Sequence, residues 1–558
     1  MVDIATFEQD REAVLADFRK GKFDYIEVAS RIREAEFFRH LLNEGDLDEL
    51  AATYPTPRQK EEVPIWLYLV SQITLRLHGQ HAYSTYPYVM HCGGLRDALG
   101  PGQVTIEQND QARRLQCQGY NDKNHYQRAT PCDQDFLRKF ARDTRAEQLL
   151  HWFNHSVPRY LRGFGAFDEE GIFLIDGSYV FVPDNPRYER SSRLRFDEHN
   201  HPVGKKDYEA LTPAQKERTQ WRRCYRAVVL LHMDRAQQTY AFGGLSRMSG
   251  KDAEVPEVRK RVESFVSAVG PGVMKLLIFD RGLIDGSTVS WMKTEHGIDS
   301  LFPLKKRMLD LEDAKVLAEQ DGEPWVQWHP PAPSAPPQPA DRPEPVRRRE
   351  CRRQKTLARR REQRPAGQEP EPVLVKVELK AVSDMNLWGS ASVSLQVVLI
   401  RDHFSDGSVS QWALGTTKAD MGPVDVWQMY RKRTQVEERH RQLKLFWDLA
   451  GYRSRSFSLV TAQTVFTLLA YSLIQAFLRK VERGEMNPRT RERILRELRY
   501  EDDRLVLYSG NRVTYLTPLE HQEILLTLRE GARRRILART RQLKERQLLR
   551  PLPRRPGI

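Results

Sequence analysis

Gly171-Ile-Phe-Leu-Ile-Asp176-Gly-Ser-Tyr-Val-Phe-Val182 is the stretch on which the reading of this chain turns. Four apolar residues run straight into a carboxylate, and the apolar pattern resumes after Gly177 and Ser178. Such a run reads as a β-strand interrupted by a charge. A carboxylate brought into a sheet core is costly unless it is paired, hydrogen-bonded or bound to a metal, so Asp176 is a candidate functional residue. Working outward, Ala227–Met233 and Gln238–Phe242 read as the next strands, and Pro256–Val269 as a helix. Met274-Lys-Leu-Leu-Ile-Phe-Asp280 is a second apolar strand with an Asp at its carboxyl end. Ile284–His296 is then expected to be helical and Ser300–Leu304 a short strand. Strands first, followed by alternating strand and helix, predict an α/β fold with a mixed sheet.

The flanks read differently. Residues 1–150 are expected to form a helical N-terminal region, either a DNA end-binding module or helical packing alone. Phe7–Phe38 has amphipathic spacing, Pro64 opens an apolar helix, and Thr130 or Asp133 is available to cap a helix over Gln134–Asp143. The α/β core is expected over 165–310 and again over 421–482. Residues 311–420 interrupt it as an insertion. Pro330, Pro331, Pro333, Pro336, Pro337, Pro339, Pro343 and Pro345 and the basic run Arg347–Arg364 make its first part an extended, solvated loop. Val373–Leu379, Ser392–Ile400 and Gln411–Thr416 then alternate as strands. Ala462–Leu478 is the most apolar run, but Gln463, Thr464, Thr467, Ser472 and Gln475 interrupt it, so a buried helix is expected rather than a membrane span. Residues 483–558 are read as a basic helical C-terminal region.

At 558 residues the chain has room for several domains and a substantial core. It carries 89 Lys and Arg against 75 Asp and Glu, a formal charge of +14, which favours a polyanionic partner because neutralised phosphates release counterions. Five cysteines in so long a chain argue against a disulfide framework, and no secretory leader is visible at the start, so a reducing cytoplasm is the expected compartment.

A third carboxylate comes with an unusual escort. Tyr430, Arg433, Glu437 and Lys444 are spaced so that one continuous helix would set all four on a stripe about 60° wide. A carboxylate framed by a phenol, a guanidinium and an ammonium suits a metal ion held next to a nucleic-acid phosphate. With Asp176 and Asp280, Glu437 completes an all-oxygen donor set appropriate to magnesium or manganese.

These residues carry a resemblance. The chain resembles bacterial DDE transposases of the insertion-sequence-four family, whose signature Y-x2-R-x3-E-x6-K is matched by Tyr430, Arg433, Glu437 and Lys444 without departure. Asp176 in Leu-Ile-Asp-Gly-Ser and Asp280 in Phe-Asp-Arg-Gly match the first and second acidic motifs. The resemblance spans roughly residues 165–480. It implies an RNase H-like core split by a β-rich insertion, with Asp176, Asp280 and Glu437 as catalytic ligands of two Mg2+ ions, for which Mn2+ substitutes. It implies DNA-binding roles for Tyr430, Arg433 and Lys444 at transposon-end phosphates, and for Trp412 as a stacking platform for a flipped base. It implies cut-and-paste transposition, which in studied members passes through a hairpin. The implied partners are double-stranded DNA (terminal inverted repeats and target) and a second copy of the chain in a synaptic homodimer, with no membrane, in a bacterial cytoplasm at the nucleoid. The alternative is a transposase-derived DNA-binding or regulatory protein that no longer cuts; a metal-dependent nuclease without strand transfer is a third.

Several residues compete with these assignments. Glu438 neighbours Glu437 but points about 100° away on a helix. Asp285 follows Asp280 by five residues and could take the second acidic role. His91, Cys92, Cys117 and Cys132 follow no compact zinc spacing.

Overall fold

The computed structural model describes residues 2–5, 11–32, 34–45, 47–59, 63–80, 82–86, 103–106, 134–330, 372–447, 451–452, 454–487, 499–509 and 512–548, with the single positions 89, 95, 98 and 449. The chain divides into two compact units, Met1–Leu277 with Thr434–Ile558, and Ile278–Arg433.

In the first unit, short strands β1 (Val2–Ala5) and β3 (Gln103–Ile106) pair antiparallel, while β2 (Tyr25–Ile32) lies between helices Arg11–Arg19 and Glu34–Asn43. Helix Ile65–Leu77 starts directly after Pro64, whose missing N–H costs nothing there, and it is buried over most of its length. Helices Gln134–Asp143 and Ala146–Gly163 follow.

The central sheet then begins. Strand β4 (Ile172–Val182) pairs antiparallel with β6 (Gln220–Asp234), placing Asp176 opposite Val229. Strand β5 (Ser192–Phe196) pairs with the first residues of β6, and β7 (Thr239–Ser249) with the rest. β7 is buried along nearly its whole length, so its backbone needs partners on the side away from β6. Side chains supply them. Asn154 both donates to the Leu245 carbonyl (3.0 Å) and accepts from the Leu245 N–H (2.7 Å), and Ser472 Oγ accepts from Phe242 N (2.9 Å). Helix Val255–Val269 leads to β8 (Leu276–Phe279), which starts beside β4 through bonds from Lys275 N and Leu276 N to the Gly171 carbonyl.

The second unit carries helix Gly286–His296, then β9 (Asp299–Pro303), helix Leu309–Gln320 and β10 (Val326–Trp328). Strands β11 (Leu374–Met385), β12 (Leu395–Phe404) and β13 (Val409–Thr416) form an antiparallel meander, giving the order β10-β11-β12-β13-β9. The β-strands expected in the insertion are present. The polyproline tract and the Arg347–Arg364 run lie outside the described residues, apart from Pro330.

One expectation fails at the end of this unit. Tyr430 to Lys444 is not one helix: helix Pro423–Arg431 ends, Lys432 and Arg433 form a turn, and a new helix runs over Thr434–Leu445. Lys432 N bonds to the Met429 carbonyl (3.0 Å) and Arg433 N to the Tyr430 carbonyl (2.8 Å), three residues back rather than four. This tightened last turn closes the first helix. No Gly or Pro marks the break, so the spacing alone could not reveal it.

Back in the first unit, Phe457–Lys480 is a 24-residue helix, buried from Phe457 to Leu478 except at Ser458. It is long and apolar enough to cross a membrane by composition, yet 94% of its most apolar window is buried inside the protein. Strands β14 (Arg499–Ser509) and β15 (Arg512–Leu516) stand in the segment read as helical, before helices Pro518–Thr527 and Glu530–Leu548. β14 pairs with β15 on one side and with β2 on the other. Val14, Phe18, Leu507, Leu516 and Ile536 share one apolar cluster, and Arg11 pairs with Glu520 at 2.7 Å. The two chain ends, read from sequence as separate helical regions, thus build one small α/β layer.

Candidate functional site

The first unit holds Asp176, Glu437 and Lys444; the second holds Asp280, Trp412, Tyr430 and Arg433. In the first unit, β4 is fully buried from Ile172 to Ile175 and becomes partly exposed at Asp176–Tyr179, so Asp176 stands where the strand leaves apolar cover. A Cβ at Gly177 would lie 2.5 Å from Glu254 Oε1, so any larger residue there would have to displace that carboxylate. The Glu254 carboxylate is itself paired with Arg226 at 2.8 Å.

Helix Thr434–Leu445 packs against β4. It is pinned from below by Arg439, whose guanidinium lies 4.1 Å from the Tyr240 ring centre and donates to Tyr471 Oη (3.2 Å). Lys444 Nζ donates to Ser178 Oγ at 2.5 Å. Burial pulls the Lys444 pKa down to about 8, opposed by the nearby Asp176 carboxylate. His440 is a residue that sequence reasoning missed. Its Nε2 is buried without a hydrogen-bond partner, 3.7 Å from Asp176 Oδ2. Desolvation, reinforced by the Lys444 charge, lowers its pKa to about 3, so the imidazole is neutral at ordinary pH. The signal for it was its place three residues after Glu437, one turn along the same helix face.

The competing carboxylates are engaged elsewhere. Glu438 accepts two bonds from Arg441, both at 2.6 Å, and a third from Gln442, while Glu437 is exposed. Asp285 caps helix Gly286–His296, accepting from Thr288 N (2.9 Å), Thr288 Oγ1 (2.6 Å) and Ser287 Oγ (2.7 Å).

In the second unit Asp280 follows the buried β8 and is partly exposed. It belongs to a charged cluster around Tyr430. Burial pushes the Tyr430 hydroxyl up to about 12; Arg433 opposes this by charge and a hydrogen bond, Asp280 adds to it, and Arg281 opposes it. Trp412 stands 5.9 Å from the Tyr430 ring, centre to centre, and its Nε1 donates to Asp402 Oδ2 at 2.7 Å. Desolvation raises the Asp402 pKa, against that hydrogen bond and the Arg431 charge. Trp412 lines a cavity of about 380 Å³ together with Trp325, Arg281, Lys306, Lys315 and Arg401. The Arg401 guanidinium lies 4.0 Å from the Trp325 ring centre. Trp325, next to the Pro-rich tract, carried no sequence signal that set it apart from packing.

Among the described residues no group of three or more His, Cys, Asp or Glu is arranged to hold a metal ion. His91, Cys92, Cys117 and Cys132, weighed as zinc ligands, lie outside those residues. Asp176 and Glu437 in the first unit and Asp280 in the second are exposed or partly exposed carboxylates, each by itself a hard-oxygen donor of the type a divalent cation takes.

A family model described as transposase DDE domain matches residues 169–473. That is more than half of the chain, and the chain belongs to this family: it is a transposase, of a class that cleaves and transfers DNA strands. No curated protein matches it.

Proposed function

We propose that this transposase works by cut-and-paste chemistry in the manner of the insertion-sequence-four family, on an RNase H-like core. The observation that carries the reading is the packing of the Glu437–Lys444 helix against the strand of Asp176, with Lys444 anchored on Ser178. Two elements nearly 260 residues apart in sequence bring a carboxylate and a phosphate-seeking ammonium to one strand. The antiparallel β4-β6-β7 set, followed by helix Val255–Val269 and β8, supports the RNase H-like core.

Asp176, Asp280 and Glu437 would hold two Mg2+ ions, with Mn2+ as substitute, which supply Lewis-acid charge to the phosphodiester oxygens. Tyr430, Arg433 and Lys444 bind backbone phosphates and set the scissile bond in line with its attacker, first water and then the freed 3′ hydroxyl. No protein nucleophile is needed. Trp412, with Trp325 across the cavity, offers a flat surface for a base turned out of the duplex when a hairpin forms at the cut end. Terminal inverted repeats and target DNA are the nucleic-acid partners, in a homodimer that pairs two ends through the C-terminal helices, at the nucleoid of a bacterial cytoplasm.

The test is magnesium-dependent cleavage of duplexes carrying the element's own ends. Glu437→Ala should abolish cleavage while end binding persists. Retained cleavage removes Glu437 from the ligand set, and no cleavage by the parent protein on its own ends leaves the reading of a DNA-binding protein that no longer cuts.

A further inference from the structure

The N-terminal and C-terminal segments meet in the first unit and bring basic residues from both to one surface. Helix Arg11–Arg19 stops in a turn fixed by two hydrogen bonds, from Gly21 N to the Phe18 carbonyl (2.8 Å) and from Lys22 N to the Asp17 carbonyl (2.9 Å). Gly21 takes a φ of +75° there, the left-handed conformation that such a helix end calls for. Helix Glu530–Leu548 packs directly on this turn. A Cβ at Gly21 would lie 3.2 Å from Arg535 Cβ, and Arg539 Nε donates to the Phe23 carbonyl at 3.0 Å. Arg19, Lys20 and Lys22 of the turn therefore stand beside Arg535, more than 500 residues away in sequence.

Helix Glu530–Leu548 divides its sides between core and solvent. Ile536 and Leu543 are buried in the apolar cluster with Val14, Phe18, Leu507 and Leu516. Arg534 and Arg541 each precede one of them by two residues, about 200° around the helix, and so face away from that cluster. Arg19, Lys20, Lys22, Arg535 and Arg541 are all exposed, and among the described residues none of these side chains has a hydrogen bond or an ion pair. Asp17, in the last turn of the first helix, already accepts from Ser509 Oγ at 2.7 Å, and Glu530 is paired with Arg534. Like charges gathered on one surface repel one another, so this face favours an anionic partner.

We propose that this surface, built from both terminal segments, is a docking face for the phosphate backbone of duplex DNA. Unpaired cations spread over one face neutralise several phosphates together and release their counterions, which gives affinity without reading sequence. A lipid surface fits less well, because membrane-surface helices insert an apolar side, and here Ile536 and Leu543 are taken up by the protein's own core. That the polyanion is DNA rests on the transposase reading; the cationic face itself does not.

The full-length protein tests it through binding of a random-sequence duplex measured against salt. Lys20→Gln and Arg535→Gln should each lower the slope of log K against log salt by about 0.9, the value for one phosphate contact, and the double variant by about 1.8. Both substitutions fall on exposed side chains without partners, so the fold is kept. Lys260→Gln, at an exposed lysine paired with Glu257, should leave the slope unchanged. A loss of the same size in Lys260→Gln would make the effect one of net charge and overturn the proposal. Unaltered slopes in Lys20→Gln and Arg535→Gln also overturn it, as does weaker binding of these variants to phosphatidylserine vesicles with DNA binding unaffected. Magnesium-dependent cleavage of the element's own ends by the parent protein is read separately. Cleavage with unaltered slopes leaves the transposase mechanism standing and removes the docking face, whereas slope losses without cleavage keep the docking face and remove the cutting.

Discussion

Replacing Lys444 by Met should make the ligand-free protein more stable while weakening its hold on DNA. The Lys444 pKa falls from 10.5 to about 8 because burial disfavours the ammonium. At about 1.36 kcal/mol per pH unit, that shift is a penalty of at most about 3 kcal/mol on the folded state at neutral pH. Lys444 is partly exposed and donates to Ser178 Oγ, so solvent screening reduces the net figure to about 1–2 kcal/mol. The sign follows from the proton balance. Between pH 8 and 10.5 the unfolded chain keeps its proton on this residue and the folded chain does not, so stability rises as pH rises through that window. Below pH 8 the whole penalty is present. Met fills similar volume without the charge, so Lys444→Met should raise the unfolding free energy at pH 7 by about 1–2 kcal/mol and show a smaller rise from pH 8 to 10.5 than the parent. Urea unfolding of both proteins at pH 7 and pH 10 measures this. In DNA binding, the same variant should lose about 0.9 from the salt slope. A destabilised Lys444→Met at pH 7, or a parent protein whose stability relative to the variant falls between pH 8 and 10.5, would refute the buried-ammonium argument.

Other residues give equally direct checks. Trp412→Ala should impair hairpin formation on pre-nicked ends more than the first nick, and Asp402→Ala, which removes the Trp412 Nε1 anchor, should do the same more mildly; equal loss at both steps in a gel assay would mean Trp412 only packs. Arg439→Ala should cost about 2–4 kcal/mol in urea unfolding by emptying the space between Tyr240 and Tyr471, and Arg439→Met, which fills it, should recover part of that loss. No recovery would place its value in charge rather than packing. Burial pushes the Cys224 thiol up to about 11, so peptide mapping after thiol labelling at pH 8 should find Cys224 unmodified in the native protein and modified in urea. Labelling at a free-thiol rate in the native state contradicts that.

The local patterns were legible because they rest on short-range physics. An apolar run broken by Asp176 gave a strand that is partly exposed from that residue to Tyr179, and Pro64 marks a helix start that the backbone itself demands. The spacing of Tyr430, Arg433, Glu437 and Lys444 was equally readable as a pattern. What spacing could not supply was the turn at Lys432 and Arg433, where hydrogen bonds reach back three residues without a glycine or proline to announce it. Nor could it show that β2 pairs with β14 across more than 450 residues of sequence, because loop-closure entropy grows so slowly with length that distant partners leave no local trace.

By itself, then, the sequence determined the strand that carries Asp176, the apolar run that delivers Asp280, and the residue types around Glu437, since each follows from periodicity and from the cost of burying charge. Only the tertiary structure decided which neighbours these groups acquire. His440 became a neutral imidazole whose Nε2 lies without a partner beside Asp176, Lys444 a partly exposed ammonium on Ser178, and Arg247 a buried guanidinium between two tyrosine rings. Those properties are set by desolvation and by side chains brought from distant parts of the chain, and no reading along one strand or helix contains them.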